Sequence, residues 1–156
     1  MLAEPILHVV LVQPEIPQNT GTTARLCAAT AARLHLVGPL GFSLEDRYLR
    51  RAGLDYWPNV DLEVHADWEC FRLKHPRASF WLFSARAQRS YSDVRYRPAD
   101  FLVFGGETRG LPPALLAEGG DRALRIPMRG TAVRSLNLAN AAAIVAYEAL
   151  RQLGLT

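Results

Sequence analysis

The stretch that decides the fold reads Phe101-Leu-Val-Phe104, followed at once by Gly105-Gly106-Glu107-Thr108-Arg109-Gly110-Leu111-Pro112. An apolar run that enters a glycine-marked loop predicts a buried strand and a turn. A second such transition follows at 125–130, and a long helix opens at Ser135-Leu136. Because α/β proteins bind ligands at strand ends beside helix N-termini, we expect the functional site in this last third of the chain.

Outward from this stretch, apolar strands alternate with helices along the whole chain. The patterns predict strands at 6–12, 33–37, 62–65, 79–83, 101–104 and 123–126, and helices at 20–30, 43–52, 67–74, 112–118 and 136–153. Continuous apolar runs are typical of strands buried on both faces. The alternation predicts an α/β fold, a mostly parallel sheet with helices on both faces. No repeat, linker or low-complexity segment interrupts it, so residues 1–156 are predicted to form a single domain.

The composition is that of a folded protein in a reducing compartment. Apolar residues make up 49% and charged residues 21% of the 156, which excludes a disordered chain and supplies a sizeable core. No apolar run approaches the roughly 18 residues that cross a bilayer, and the first residues lack signal-peptide features. Cys27 and Cys70 are isolated, without metal-ligand spacing. We therefore expect a cytoplasmic protein with no membrane segment.

The cations are almost all arginines. Lysine and arginine together number 18, with a net charge of +3, and Lys74 is the only lysine. The planar guanidinium suits phosphate and nucleic-acid contacts better than an ammonium group does. A GC-rich genome would produce the same bias, so nucleic-acid binding and codon composition both stay open as explanations.

Several common ligand sites are excluded. The loop after the first strand, Gln13 to Asn19, is rich in proline and amides instead of the glycines of a dinucleotide-binding turn. The chain has no Gly-Lys pair for a Walker A loop, no Gly-x-Ser-x-Gly elbow and no His-Glu-x-x-His helix. The spacing of Gly105, Gly106 and Gly110 indicates only that the backbone passes close to another group. A tight turn without any ligand would explain these glycines equally well.

The four histidines form no metal motif by their spacing. His8 and His35 lie inside apolar strands, where a buried and hydrogen-bonded core residue is expected. His65 and His75 are predicted to be surface or loop residues. We therefore expect no metal.

Three segments, in order, resemble the signature motifs of the SPOUT methyltransferases. They are 14–27, 104–112, and 126–128 together with 134–141. The segment Arg50-Arg51-Ala-Gly53-Leu-Asp55-Tyr56 further resembles the small TrmL (YibK-like) tRNA wobble-nucleotide 2′-O-methyltransferases. The resemblance runs over nearly the whole chain, with no added RNA-binding domain, as in that subgroup.

This resemblance implies a fold and a function that the patterns alone do not reveal. It implies a deep trefoil knot near the C-terminus and a homodimer whose active site uses both protomers. The implied cofactor is S-adenosylmethionine, and the implied reaction is 2′-O-ribose methylation of the wobble nucleotide, cytidine or modified uridine. The expected partner is the anticodon stem-loop of tRNA, in leucine tRNAs. A ribose methyltransferase for another RNA, or a non-catalytic knotted RNA-binding homodimer, is the alternative.

The resemblance also assigns a cofactor site. Cofactor contacts carry over to Phe83, Gly105, Gly106, Ile126, Met128, Ser135 and Leu136. Gly105 would let backbone approach the ligand closely. Ser135 would serve either the ligand or the N-terminus of the last helix. Asn137 and Asn140 are expected to be structural amides that hold the loops.

Arg25 is the residue that the resemblance places in catalysis. The role proposed in the family is that of the base for the ribose hydroxyl. A guanidinium stays protonated up to a pKa above about 12, so we favour a phosphate clamp that positions the hydroxyl and stabilises developing charge. A plain surface arginine on an amphipathic helix is the alternative.

Substrate contacts are predicted for Asn19, Glu107, Arg109 and Arg134, with Arg50 and Arg51 as further candidates for anticodon phosphates. Glu107 would orient Arg25 or Arg109 through an ion pair, or accept the proton itself. The chain departs from the family pattern at Gly106, where relatives commonly have proline, and at 129–133, which is longer. The first departure is expected to loosen that turn and to leave cofactor binding intact. The second bears on the substrate-facing geometry of its loop.

Overall fold

One parallel sheet organises the structure. The computed structural model describes residues 4–47, 49, 51 and 57–156, and within them seven strands form the sheet. They are β1 (Leu7–Val12), β2 (Arg33–Val37), β3 (Leu62–His65), β4 (Phe80–Phe83), β5 (Arg89–Ser90), β6 (Asp100–Phe104) and β7 (Ala123–Arg125). Their order is β3-β2-β1-β6-β4-β7-β5, and every pairing is parallel. The central β1 is buried throughout, as its continuous apolar sequence predicts.

Helices cover both faces of this sheet. In the described residues they are α1 (Pro17–Thr30), α2 (Trp68–Lys74), α3 (Pro113–Gly119) and α4 (Leu138–Gln152). Because successive strand residues point to opposite faces, β1 contributes to two cores. Val9 belongs to the core shared with α1 and α4, and Val10 to the core that contains Phe71 of α2 and Leu115 of α3. The predicted α/β fold with helices on both faces is confirmed.

The start of α4 differs from the prediction. The helix begins at Leu138, and its N-cap is Asn137, not Ser135, because Oδ1 of Asn137 accepts a hydrogen bond from the backbone N–H of Asn140 at 3.1 Å. An asparagine oxygen satisfies this orphan donor as well as a serine hydroxyl does. Ser135 and Leu136 consequently lie in the preceding loop.

The start of α1 also differs. The helix begins at Pro17 instead of Thr20, and Thr20 is fully buried inside it. Proline fits the first helical turn because the N–H that it lacks would have no acceptor within the helix. The residue before it, Ile16, caps the helix without a side-chain hydrogen bond, so another group must satisfy the first amides.

The remaining differences are small. β4 begins at Phe80, β6 at Asp100, and β7 ends at Arg125. The two-residue β5 and the 3₁₀ turns Trp57–Asn59 and Gly120–Arg122 are too short to leave a periodic signal in the sequence. The predicted cap of α2 is confirmed, since Oδ1 of Asp67 accepts from the Cys70 N–H at 2.8 Å. The predicted helix at 43–52 extends beyond the described residues, and Arg50 lies outside them.

The histidine predictions are half right. His8 and His35 are buried core residues, with exposed fractions of 1% and 0%, as expected. The prediction for His65 is wrong: it is only 5% exposed, because β3 pairs with β2 and α2 packs against it. His75 is partly buried too, and its Nε2 lies 2.8 Å from a carboxylate oxygen of Glu63.

The C-terminal part of the chain crosses the sheet. β7 lies beyond β4, yet the following helix α4 packs against α1, β1 and β6. The loop between β7 and α4 therefore runs back over the carboxyl ends of the central strands. The trefoil knot that the resemblance implies near this segment stays a prediction. No helix in the described ranges is long and apolar enough to cross a bilayer.

The face that α4 buries is built of small residues, which gives a test of the fold. Ala142, Ala146 and Ala149 are fully buried against the sheet and α1. Replacing Ala146 with leucine should lower the free energy of unfolding by about 1–3 kcal/mol in urea denaturation, because it overpacks this contact. Leucine at the exposed Ala29 of α1 is the matched control and should change stability by less than about 0.5 kcal/mol. Equal effects at both positions would contradict this packing.

Candidate active site

A cavity of about 730 Å³ lies at the carboxyl ends of β4, β6 and β7, beside the start of α4. Its lining includes every residue predicted to bind the cofactor, namely Phe83, Gly105, Gly106, Ile126, Met128, Ser135 and Leu136. It also includes the four residues predicted to contact substrate, Asn19, Glu107, Arg109 and Arg134. The structure therefore brings these predicted residues into one place.

The loop after β6 folds back on itself to form one wall. The N–H of Gly110 donates to the carbonyl of Gly106 at 2.9 Å, and these two residues form an antiparallel bridge. A Cβ atom on Gly105 would overlap the backbone of Gly110 and Leu111. The tight turn that the glycine spacing allowed is therefore present, and it forms part of the cavity wall.

The same loop packs against the loop that precedes α1. A Cβ atom on Gly106 would lie 2.6 Å from the carbonyl oxygen of Gln13 and 2.8 Å from a carboxylate oxygen of Glu15. Both distances are far below normal van der Waals contact, so a residue larger than glycine would push the two loops apart. The two loops are thus in backbone contact, although about 90 residues separate them in the chain.

Two glutamates join these loops reciprocally. The carboxylate of Glu107 accepts from the N–H groups of Glu15 and Ile16, both at 2.7 Å, and from Nδ2 of Asn19 at 3.2 Å. In return, the carboxylate of Glu15 accepts from the hydroxyl and the N–H of Thr108 and from the N–H of Arg109. Glu107 thereby supplies the negative charge that the N-terminus of α1 favours. The hydrogen bonds of Glu107 go to these amides, whereas an arginine partner was predicted.

Hydrogen bonding also shifts the titration of Glu15. The bond from the Thr108 hydroxyl, supported by the N–H groups of Thr108 and Arg109, holds the pKa of Glu15 below its usual 4.5. Charge-assisted bonds of this kind favour the ionised carboxylate.

A pair of asparagines extends the network to α4. Nδ2 of Asn137 donates to Oδ1 of Asn19 at 3.0 Å, while Oδ1 of Asn137 caps the helix. Asn19 is only 9% exposed and uses both ends of its amide in these contacts. The structural role expected for Asn137 agrees with this geometry, and Asn19 acts as the connector between the three motif segments.

Arg25 does not join the cavity of its own chain. Its side chain is exposed on α1, and it is absent from the cavity lining. The exposed Arg109 and Arg134, by contrast, stand at the cavity rim.

Sequence reasoning missed several residues of the cavity. Ser84 and Arg86 follow β4 and line it, as do Leu116 of α3 and Leu138 of α4. The position of Ser84 and Arg86 directly after a buried strand is the signal that could have found them, because strand ends form the ligand edge of a parallel sheet. The two leucines carry no such signal.

Comparison with known proteins gives the family. The model of the SpoU rRNA Methylase family matches residues 6–147. The chain belongs to this family. It is 48% identical over 152 residues to the tRNA (cytidine(34)-2′-O)-methyltransferase of Burkholderia pseudomallei, covering 96% of this chain and 97% of that one.

Solved structures agree with this membership. One that was described as giving insights into the 2-OH methylation of C/U34 on tRNA is 51% identical, with a TM-score of 0.90 over 97% of this chain and 99% of the other. An AdoMet-bound rRNA methyltransferase from Sinorhizobium meliloti is 28% identical, with a TM-score of 0.85 over 97% of this chain and 58% of its own. The predicted SPOUT resemblance is confirmed.

The lowered pKa of Glu15 gives a prediction for this SpoU family member. When folding lowers the pKa of a carboxylate, the ionised group stabilises the protein at pH values above its pKa in the unfolded state, here 4.5. This stabilisation is lost as the pH falls through the pKa of the folded state. Glu15→Gln should therefore destabilise the protein most near pH 7, with the difference from wild type shrinking as the pH falls well below 4.5. Urea unfolding at both pH values measures it, and a difference independent of pH would contradict the assignment.

Proposed function

We propose that this chain is a tRNA 2′-O-methyltransferase that uses S-adenosylmethionine to methylate the ribose of the wobble cytidine or modified uridine. The observation that carries the proposal is the assembly of three motif segments around one cavity in a chain nearly half identical, over its full length, to a tRNA (cytidine(34)-2′-O)-methyltransferase. We further propose that residues 1–156 form a single domain and that the protein acts in the cytoplasm on leucine tRNAs.

The cavity fits the proposed cofactor. Its volume of about 730 Å³ lies within the range of about 300–1,000 Å³ that is usual for such ligands. Apolar walls from Phe83, Leu116 and Leu138 suit an adenine ring. Gly105 and Gly106 also line the cavity, and backbone amide and carbonyl groups of this loop would bind the edge of the ring. When bound, S-adenosylmethionine supplies a methyl group already activated by the sulfonium charge, so the transfer itself needs no metal ion.

The chain's residues would then orient the RNA. Arg109 and Arg134 at the rim carry positive charge toward the phosphate backbone. A guanidinium is a poor base. Arg25 therefore clamps a phosphate and stabilises charge near the 2′-hydroxyl instead of removing the proton. Glu107 is committed to the amides before α1 and serves as a positioning residue.

A homodimer would place Arg25 over the partner's cavity. Ile144 and Tyr147 lie one turn apart on α4 and are 37% and 49% exposed. Val133 and Leu136, in the loop before α4, are 61% and 37% exposed. Large apolar side chains left exposed on a surface are typical of an interface. We propose that this surface is buried against a second copy.

Subunit mixing tests the role of Arg25. Arg25→Ala should reduce turnover by about 10²-fold or more while leaving calorimetric affinity for S-adenosylmethionine unchanged, and the exposed Arg77→Ala is the matched control. Ser135→Trp should fill the cavity and abolish cofactor binding. Mixing the two inactive variants should restore roughly one quarter of wild-type activity, since half of the dimers are mixed and one of their two sites is complete. No recovery would mean that Arg25 acts within its own chain.

Nucleoside mapping tests the function itself. Purified protein and labelled S-adenosylmethionine should transfer methyl groups to total tRNA, with the label recovered as a 2′-O-methylated nucleotide at the wobble position. Label on a base, or only on ribosomal RNA, would overturn the wobble assignment. No label on any RNA, with cofactor binding intact, would favour the non-catalytic alternative.

A further inference from the structure

We infer that this protein binds one zinc ion at the edge of its sheet, through His35, Glu63, His65 and His75. The four side chains come from β2, from β3 and from the residue that follows α2. In the described part of the chain, they are the one group of histidine, cysteine and acidic side chains close enough to hold a metal ion, with their ligand atoms all within 4.8 Å of one another. None of them lines the proposed cofactor cavity.

The fold places these residues together for simple reasons. In the parallel pairing of β2 and β3, His35 stands opposite Glu63. Glu63 and His65 are two residues apart on one strand, so both point to the face covered by α2. His75 is the C-cap of α2, where its N–H donates to the carbonyl of Phe71 at 2.9 Å, and this brings its imidazole over the two strands. Sequence spacing hides the group because its members lie on three elements.

Four of the six distances between the ligand atoms are close to the edges of a tetrahedron around zinc. Oε2 of Glu63 lies 2.8 Å from Nε2 of His75, 3.4 Å from Nδ1 of His35 and 3.5 Å from Nε2 of His65. Nδ1 of His35 lies 3.1 Å from Nε2 of His65. Zinc bonds of about 2.0–2.1 Å in tetrahedral geometry place neighbouring ligand atoms about 3.3–3.4 Å apart. These four pairs need to move by about half an ångström or less. The two remaining pairs, from His75 to His35 and to His65, lie within 4.8 Å, so the imidazole of His75 would have to turn toward the ion.

A second layer of hydrogen bonds orients the buried ligand. Nε2 of His35 lies 2.8 Å from Nδ1 of His8, and Nε2 of His8 lies 3.1 Å from Oε1 of Glu4. If His8 donates to Glu4 and His35 donates to His8, Nδ1 of His35 is left without a proton and faces the other three ligands. A carboxylate–histidine chain behind a ligating imidazole is the usual arrangement at zinc sites.

The site is held rigidly and has an entrance. The rings of His35 and His65 are almost fully buried, and the ring of Phe71 packs on both with centroid distances of 5.7 and 5.2 Å. The side chains of Glu63 and His75 are each 18% exposed, which leaves a path for an ion. Arg33 and Lys74 lie 3.7 and 3.6 Å from the other oxygen, Oε1, so they pair with Glu63 without occupying the oxygen that faces the histidines.

The ion would serve structure, not methyl transfer. Four protein ligands close the coordination sphere, which is typical of structural zinc, whereas catalytic zinc keeps a position open for water or substrate. Bound there, zinc would tie the edge strand β3 to β2 and to the end of α2. Its binding free energy would then add to the stability of the folded chain.

Zinc titration of the chelator-treated, full-length protein tests the inference. Calorimetry should give one zinc per chain, and the midpoint of thermal unfolding should rise in the presence of zinc. Substituted cobalt(II) should give the intense visible absorption of a tetrahedral site. No zinc binding, or a weak octahedral cobalt spectrum, would overturn the assignment and leave a purely hydrogen-bonded histidine cluster.

Variants at the two partly exposed ligands locate the site without changing the fully buried histidines. His75→Ala and Glu63→Gln should each weaken zinc affinity at least about tenfold and remove the thermal shift, while their metal-free circular dichroism matches wild type. Cys70→Ser is the matched control, because Cys70 is an exposed thiol on the same helix, and it should leave zinc affinity unchanged. Affinity that survives both ligand variants, or that is lost with Cys70→Ser, would contradict the site.

Discussion

The rest of the site depends on the carboxylate of Glu107, which joins the loop after β6 to the start of α1 at the carboxyl end of the sheet. It accepts hydrogen bonds from the backbone amides of Glu15 and Ile16, directly before α1, and from the side chain of Asn19 at the same time. Through Asn19 and Asn137 the same network fixes the start of α4. The three motif segments thus share one set of hydrogen bonds, which explains why residues distant in the chain form a single cavity wall.

The fold and much of the site could be predicted because their signals are local. Continuous apolar runs identify the buried strands, and glycines mark the turn at Gly105, where a side chain would overlap the opposite backbone. The residues assigned to the cofactor came from the family resemblance, and all of them line one cavity. Boundaries were less accurate where two residue types serve the same purpose, as with Asn137 in place of Ser135 at the cap of α4.

The features that the sequence did not reveal are contacts between residues that lie far apart in the chain. The histidines lie on separate strands and a helix end, so their approach to Glu63 follows from strand pairing and not from spacing. The partner of Glu107 was missed for a related reason, since backbone amides leave no trace in the sequence. The position of Arg25 could not be predicted either, because only the folded structure shows that it is exposed on α1 and does not line the cavity. The proposed cofactor cavity and the proposed zinc site lie at separate parts of one sheet, so they can be tested separately.

We propose that the Glu107 network shapes the cavity that binds S-adenosylmethionine. Calorimetry of the cofactor with wild type, Glu107→Gln and the exposed control Glu118→Gln measures this role. One molecule should bind per chain, with affinity at least about tenfold weaker for Glu107→Gln, because lost amide contacts let the two loops separate. The control should match wild type. No binding by wild type, or equal affinity in all three proteins, would contradict the account.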